Sequence, residues 1–86
     1  MKILLVDDSK TMRSIQRGIL TQLGFAQIQE ASDGADALAR VDIIRPDLIL
    51  VDWNMPNMNG PAFVRAYRER GGQAAVVMVS AECERP

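Results

Sequence analysis

Three short runs of consecutive apolar residues constrain the fold of this chain more than anything else in it: Ile3-Leu4-Leu5-Val6, Leu48-Ile49-Leu50-Val51 and Ala75-Val76-Val77-Met78-Val79. Each lacks the alternation of a strand with one wet face and is too short for a buried helix. Runs that are apolar on both sides suit a parallel sheet covered by helices on its two faces. The intervening segments supply those helices. Met12, Ile15, Ile19, Leu20 and Leu23 follow helical spacing, with Gly24 placed to end the helix. Ala35, Leu38, Val41 and Ile44 repeat the pattern until Pro46 stops it. Asn59-Gly60-Pro61 opens a third helix with proline at or near its first position; Phe63, Val64 and Tyr67 form its apolar face, and Gly71-Gly72 closes it. Residues 26–31, around Ile28, read as a second, more exposed strand, whereas residues 75–80 read as a fourth buried one. The expectation is an α/β domain whose strands and helices alternate throughout.

In such a sheet the carboxyl ends of the strands share one edge, and ligand crevices form there. Asp7-Asp8 follows the first strand, Asp52 ends the third and Ser80 ends the fourth. Carboxylates crowded together raise one another's proton affinity unless a cation compensates. With only oxygen ligands on offer, a hard divalent ion is expected, magnesium first. A carboxylate nucleophile opposite a phosphoryl donor is then plausible chemistry, with Asp52 forming an aspartyl phosphate and Ser80 donating a hydrogen bond to a phosphoryl oxygen.

Composition excludes other classes. In 86 residues, 48% hydrophobic and 24% charged, there is room for one small globular domain. Ten Lys and Arg against eleven Asp and Glu give a net charge of −1, so no global electrostatic footprint favours nucleic acid. Histidine is absent and Cys83 is the single cysteine, which removes an intramolecular disulfide and a Cys/His metal site. Asp7-Asp8 interrupts the first apolar run before a signal peptide or membrane span could form, so a cytoplasmic location with no membrane partner is expected.

Taken together, Asp7-Asp8, Asp52 followed by Trp53-Asn54-Met55-Pro56 and Gly60, and Ser80-Ala81 resemble the receiver domains of two-component response regulators. Asp8-Ser9-Lys10-Thr11-Met12-Arg13 and the stretch from Asp52 to Gly60 are most similar to the single-domain chemotaxis regulators of that family. The resemblance implies a flavodoxin-like, doubly wound parallel sheet of order 2-1-3-4, an order that belongs to the resemblance rather than to the pattern. It also implies that Asp52 accepts a phosphoryl group from a histidine kinase, making the chain a phosphoacceptor that assists its own phosphorylation and dephosphorylation rather than an enzyme. Asp8 and Asp52 would ligate magnesium through side chains and Asn54 through its backbone carbonyl, while Asp7 holds a water of the ion. Ser80 would be the switch hydroxyl, and Asn54 and Glu82 would tune loss of the phosphoryl group. The downstream target stays unnamed.

The resemblance also carries a departure. A complete receiver continues through a fourth helix, a fifth strand bearing a lysine before a proline, and a fifth helix. Arg85-Pro86 imitates that pair only five positions after Ser80. The expectation is therefore a truncated single domain over residues 1–86, with four strands, three helices and no bridging lysine. Its fourth strand would leave an apolar edge that pairs with a second copy, giving a dimer or oligomer.

Each signal has a plainer reading. Asp7-Asp8 alone is a common helix cap, Asp52 alone a common turn residue, and Arg65, Arg68, Glu69 and Arg70 the wet face of the third helix. Trp53, Met12, Met55, Met58 and Met78 suit packing and loop anchoring better than a cofactor box. Two other classes stay open beside the signalling module. One is a phosphorylation-independent interaction module whose crevice is a relic. The other is a small phosphatase or nucleotide-binding domain, ranked last because no glycine-rich phosphate loop follows the first strand.

Overall fold

A computed structural model of the chain describes residues 1–79. Four strands and three helices alternate: β1 (Lys2–Val6), α1 (Lys10–Gln22), β2 (Gln27–Ala31), α2 (Gly34–Ile44), β3 (Leu48–Asp52), α3 (Gly60–Glu69) and β4 (Ala75–Val79). The sheet order is β2-β1-β3-β4 with every pair parallel, as the resemblance implied. Helix ends follow the local chemistry. Ser9, Asp33 and Asn59 each turn a side-chain oxygen onto the backbone N–H three residues ahead, capping α1, α2 and α3. Gly24, at φ 98°, ends α1.

The two faces of the sheet are unequally covered. On one, Leu4, Val6, Ile49 and Val51 pack against Leu38 and Val41 of α2 and against Phe63 and Tyr67 of α3. The rings of Phe63 and Tyr67 stack 5.9 Å apart, and the Tyr67 hydroxyl accepts the Ala74 N–H at 3.0 Å. On the other face the buried cluster is Ile3, Leu5 and Ile28, with Leu20 of α1 and Phe25 packed against it. Alternation along β1 thus feeds both cores.

Three expectations need correction. α1 buries no residue fully: Ile15, Ile19 and Leu23 are 50%, 54% and 68% exposed. Its inner side carries half-buried Met12, Arg13, Gln16, Arg17 and Leu20 instead. The apolar period was real, but about half of it points away from the sheet. In α2 the inner positions are Ala37, Leu38 and Val41, whereas Ala35 is exposed. β4 takes the expected edge position beside β3 among the described residues, but it is only partly buried, with Val77 47% exposed.

Phe63 is fully buried, and its truncation leaves a cavity between sheet and helices. Phe63→Ala should cost about 3–5 kcal/mol of stability in urea unfolding. Ile19→Ala, at an exposed position of α1, should change it by less than about 1 kcal/mol.

Candidate functional site

β1 and β3 run side by side with Val6 opposite Val51, so the chain leaves both strands at the same level. Asp7 and Asp8 from one strand and Asp52 from the other therefore meet at the carboxyl edge. One carboxylate oxygen of each lies within 4.8 Å of the others, the one such acidic trio among the described residues. Asp7 is 4% exposed, Asp8 is exposed at the rim, and Asp52 is intermediate.

Asp7 is held at each of its polar groups. Its backbone N–H donates to the Ala31 carbonyl at 3.2 Å, and its side chain accepts the Ser9 N–H at 2.8 Å. Its carbonyl accepts from Nη1 of Arg13. Burial pushes the Asp7 carboxyl above its ordinary value of 3.8 and the neighbouring Asp8 adds to the rise, while the Ser9 N–H and the Arg13 guanidinium oppose it. Burial likewise raises Asp52, reinforced by Asp7 and Asp8, against the backbone N–H groups of Asn54 and Trp53. Crowded, partly desolvated carboxylates that raise one another's proton affinity fit a hard divalent ion.

The loop after Asp52 is pinned by its backbone. The Trp53 N–H donates to the Val79 carbonyl and the Gly60 N–H to the Trp53 carbonyl, each at 3.0 Å. Gly60 is required by close approach, since a Cβ there would sit 2.5 Å from the Asp52 carbonyl oxygen. Met55 is buried and Met58 lies against Gly34, so both anchor the loop as expected. Trp53 does not: the residue is 48% exposed, and its backbone is what is tied down. Asn54 is exposed, with its backbone N–H acting on the Asp52 carboxylate. β4 is described as far as Val79, which lies opposite Asp52. Ser80 and Glu82 lie outside the described residues.

Sequence reasoning missed a cluster beside the trio. Glu30 of β2 accepts Nε of Arg13 at 2.9 Å and Nε of Arg17 at 2.6 Å, one on each carboxylate oxygen. Two signals pointed to it: arginines four apart on α1 between its apolar positions, and a carboxylate inside a strand.

A parallel doubly wound sheet with an acidic crevice at the ends of its two central strands defines a receiver-type signalling domain. The chain belongs to that family: residues 3–86 match the response regulator receiver domain. Chemotaxis protein CheY of Pseudomonas aeruginosa is 46% identical over 87 residues, an alignment covering 99% of this chain and 70% of that protein. The structure of Vibrio cholerae chemotaxis protein CheY4 superposes with a TM-score of 0.86 at 35% identity, covering 96% of this chain and 70% of that one. The MaeR response regulator bound to beryllium trifluoride matches with a TM-score of 0.85 at 26% identity, covering 98% and 70%. Receiver domains are phosphoacceptor regulators rather than classical enzymes, typically take their phosphoryl group from histidine kinases, and bind magnesium at an acidic pocket. Asp7, Asp8 and Asp52 form that pocket here. No helix among the described residues is long and apolar enough to cross a membrane.

A carboxyl whose folded value is raised contributes stability that is complete below its unfolded value and lost as pH rises through the folded one. For Asp52 that loss sets in as pH rises above 3.8. Asp52→Asn should therefore unfold at a higher temperature than the unmodified chain in neutral buffer with chelator. The difference should vanish below about pH 4, as thermal unfolding across pH will show.

Proposed function

We propose that this chain is a magnesium-dependent receiver in which Asp52 takes a phosphoryl group from a histidine kinase, in a cytoplasmic two-component pathway of the chemotaxis or motility kind. The observation that carries the reading is the position of the Asp52 carboxylate: half-buried at the tip of β3, within 4.8 Å of two further carboxylates. The chemotaxis names of its relatives support the choice of pathway.

In the transfer, an Asp52 oxygen forms a bond to phosphorus as the bond from phosphorus to the donor's imidazole nitrogen breaks. The nitrogen keeps the electron pair and the product is an acyl phosphate. Asp8 and Asp52 would hold the ion through their side chains, with Asn54 contributing its backbone carbonyl and Asp7 a water, and the ion would supply positive charge to the phosphoryl oxygens. In this reading the Ser80 hydroxyl senses the phosphoryl group, and Asn54 and Glu82 set how fast water removes it. The domain so assists its own phosphorylation and dephosphorylation, and the acceptor carboxylate is regenerated.

A second reading, self-association of the 86-residue chain through β4, is favoured by the half-exposed apolar Val77 on an edge strand. It needs no phosphorylation. Sedimentation as a well-folded monomer at high concentration would remove it.

Incubation with a small phosphodonor and magnesium should add the mass of one phosphoryl group in intact-mass measurement. The adduct should be lost in Asp52→Asn and on chelation. An adduct that persists in Asp52→Asn contradicts the assignment, and the absence of any adduct favours the second reading.

A further inference from the structure

We infer that Arg13 is a positioning residue for the acidic crevice: its guanidinium, braced on Glu30, holds the Asp7 backbone carbonyl and so fixes the peptide that presents Asp7 and Asp8 together. The inference rests on the reading of the trio as a divalent-cation site and adds a part to it.

The geometry is a fork with two different targets. Nε of Arg13 donates to Oε1 of Glu30 at 2.9 Å, while Nη1 donates to the Asp7 carbonyl. A guanidinium can do both because its donors are fixed in one plane; an ammonium cannot span the two. The brace is itself secured. Oε2 of Glu30 accepts Nε of Arg17 at 2.6 Å, and Nη2 of Arg17 donates to the Ile28 carbonyl at 2.9 Å. Glu30 is paired with Leu5 in the sheet register and so belongs to the face that α1 covers. Arg13 is well covered, its side chain only 14% exposed.

A carboxylate on that apolar face needs partners to be tolerated, and two arginines satisfy both its oxygens. If tying α1 to β2 were its whole purpose, Arg17 would suffice, since it bonds Glu30 and the β2 backbone. Arg13 alone continues to Asp7. It also stands a cation beside a crevice meant to collect a cation, which by charge alone would weaken ion binding. Charge and position therefore make opposite predictions for its removal.

The test titrates the 86-residue chain with magnesium, reading Trp53 fluorescence and calorimetric heat, with urea unfolding in parallel. Arg13→Ala should weaken magnesium affinity on the order of 10-fold, the scale expected for a group that orients metal ligands. Arg17→Ala removes the same charge from the same carboxylate without touching Asp7, and should stay within about twofold of the unmodified chain whatever it does to urea stability. Arg13→Lys keeps the charge and should still bind magnesium more weakly, which carries the test if Arg13→Ala does not fold. Equal affinities in Arg13→Ala and Arg17→Ala, tighter binding in Arg13→Ala, or undiminished affinity in Arg13→Lys would overturn the inference while leaving the cation site standing. No response from the unmodified chain would overturn the cation site and the inference together.

Discussion

The parallel register between β1 and β3 is the constraint on which the rest depends. With Val6 opposite Val51, two strands far apart in sequence end at one level and deliver three carboxylates to one crevice. A slip of one residue would turn one strand over relative to the other, moving either Leu4 and Val6 or Ile49 and Val51 away from α2 and α3. The hydrophobic pattern thereby holds the crevice together against the repulsion of its own charges. The effect of burial and repulsion is visible in Asp7 and Asp52, both raised above the ordinary aspartate value.

That tension is borne unevenly across the molecule. The face covered by α2 and α3 has a complete core with Phe63 and Tyr67 at its centre, and from it come the loop and helix that close over Asp52. The N–H of Gly60 ties the start of α3 to Trp53, and the missing side chain lets that helix approach the Asp52 carbonyl. The α1 face is thinner. There, a polar fixture of Arg13, Arg17 and Glu30 replaces part of the apolar packing, while Ile15, Ile19 and Leu23 lie outward. The site thus has one wall set by packing and another set by directed hydrogen bonds.

Much of this was legible in the residues. Consecutive apolar runs marked β1 and β3, Asn59-Gly60-Pro61 marked the start of α3, and strand-end carboxylates marked the crevice. These signals are local, or follow from the one rule that parallel strands end together. What escaped was set by neighbours in space. Whether Ile19 faces the sheet depends on how α1 lies across it, and whether Val77 is covered depends on what flanks β4. The pairing of Glu30 with Arg13 and Arg17 joins different elements: the four-residue spacing of the arginines on α1 hints at a shared face, but nothing within either element names the partner. Trp53 was misread for the same reason: the chain is anchored there by two backbone hydrogen bonds, which carry no mark in the side-chain pattern.

The central claim is that Asp7, Asp8 and Asp52 act as one divalent-cation site. Backbone amide spectra of the isotopically labelled chain, titrated with manganese as a paramagnetic stand-in for magnesium, test it most directly. The account predicts that the amides of Val6 to Asp8 and of Asp52 to Asn54 broaden first and together, and recover when excess magnesium is added. Broadening that begins instead at the exposed carboxylates Asp42 and Asp47, or that magnesium does not reverse, would contradict it.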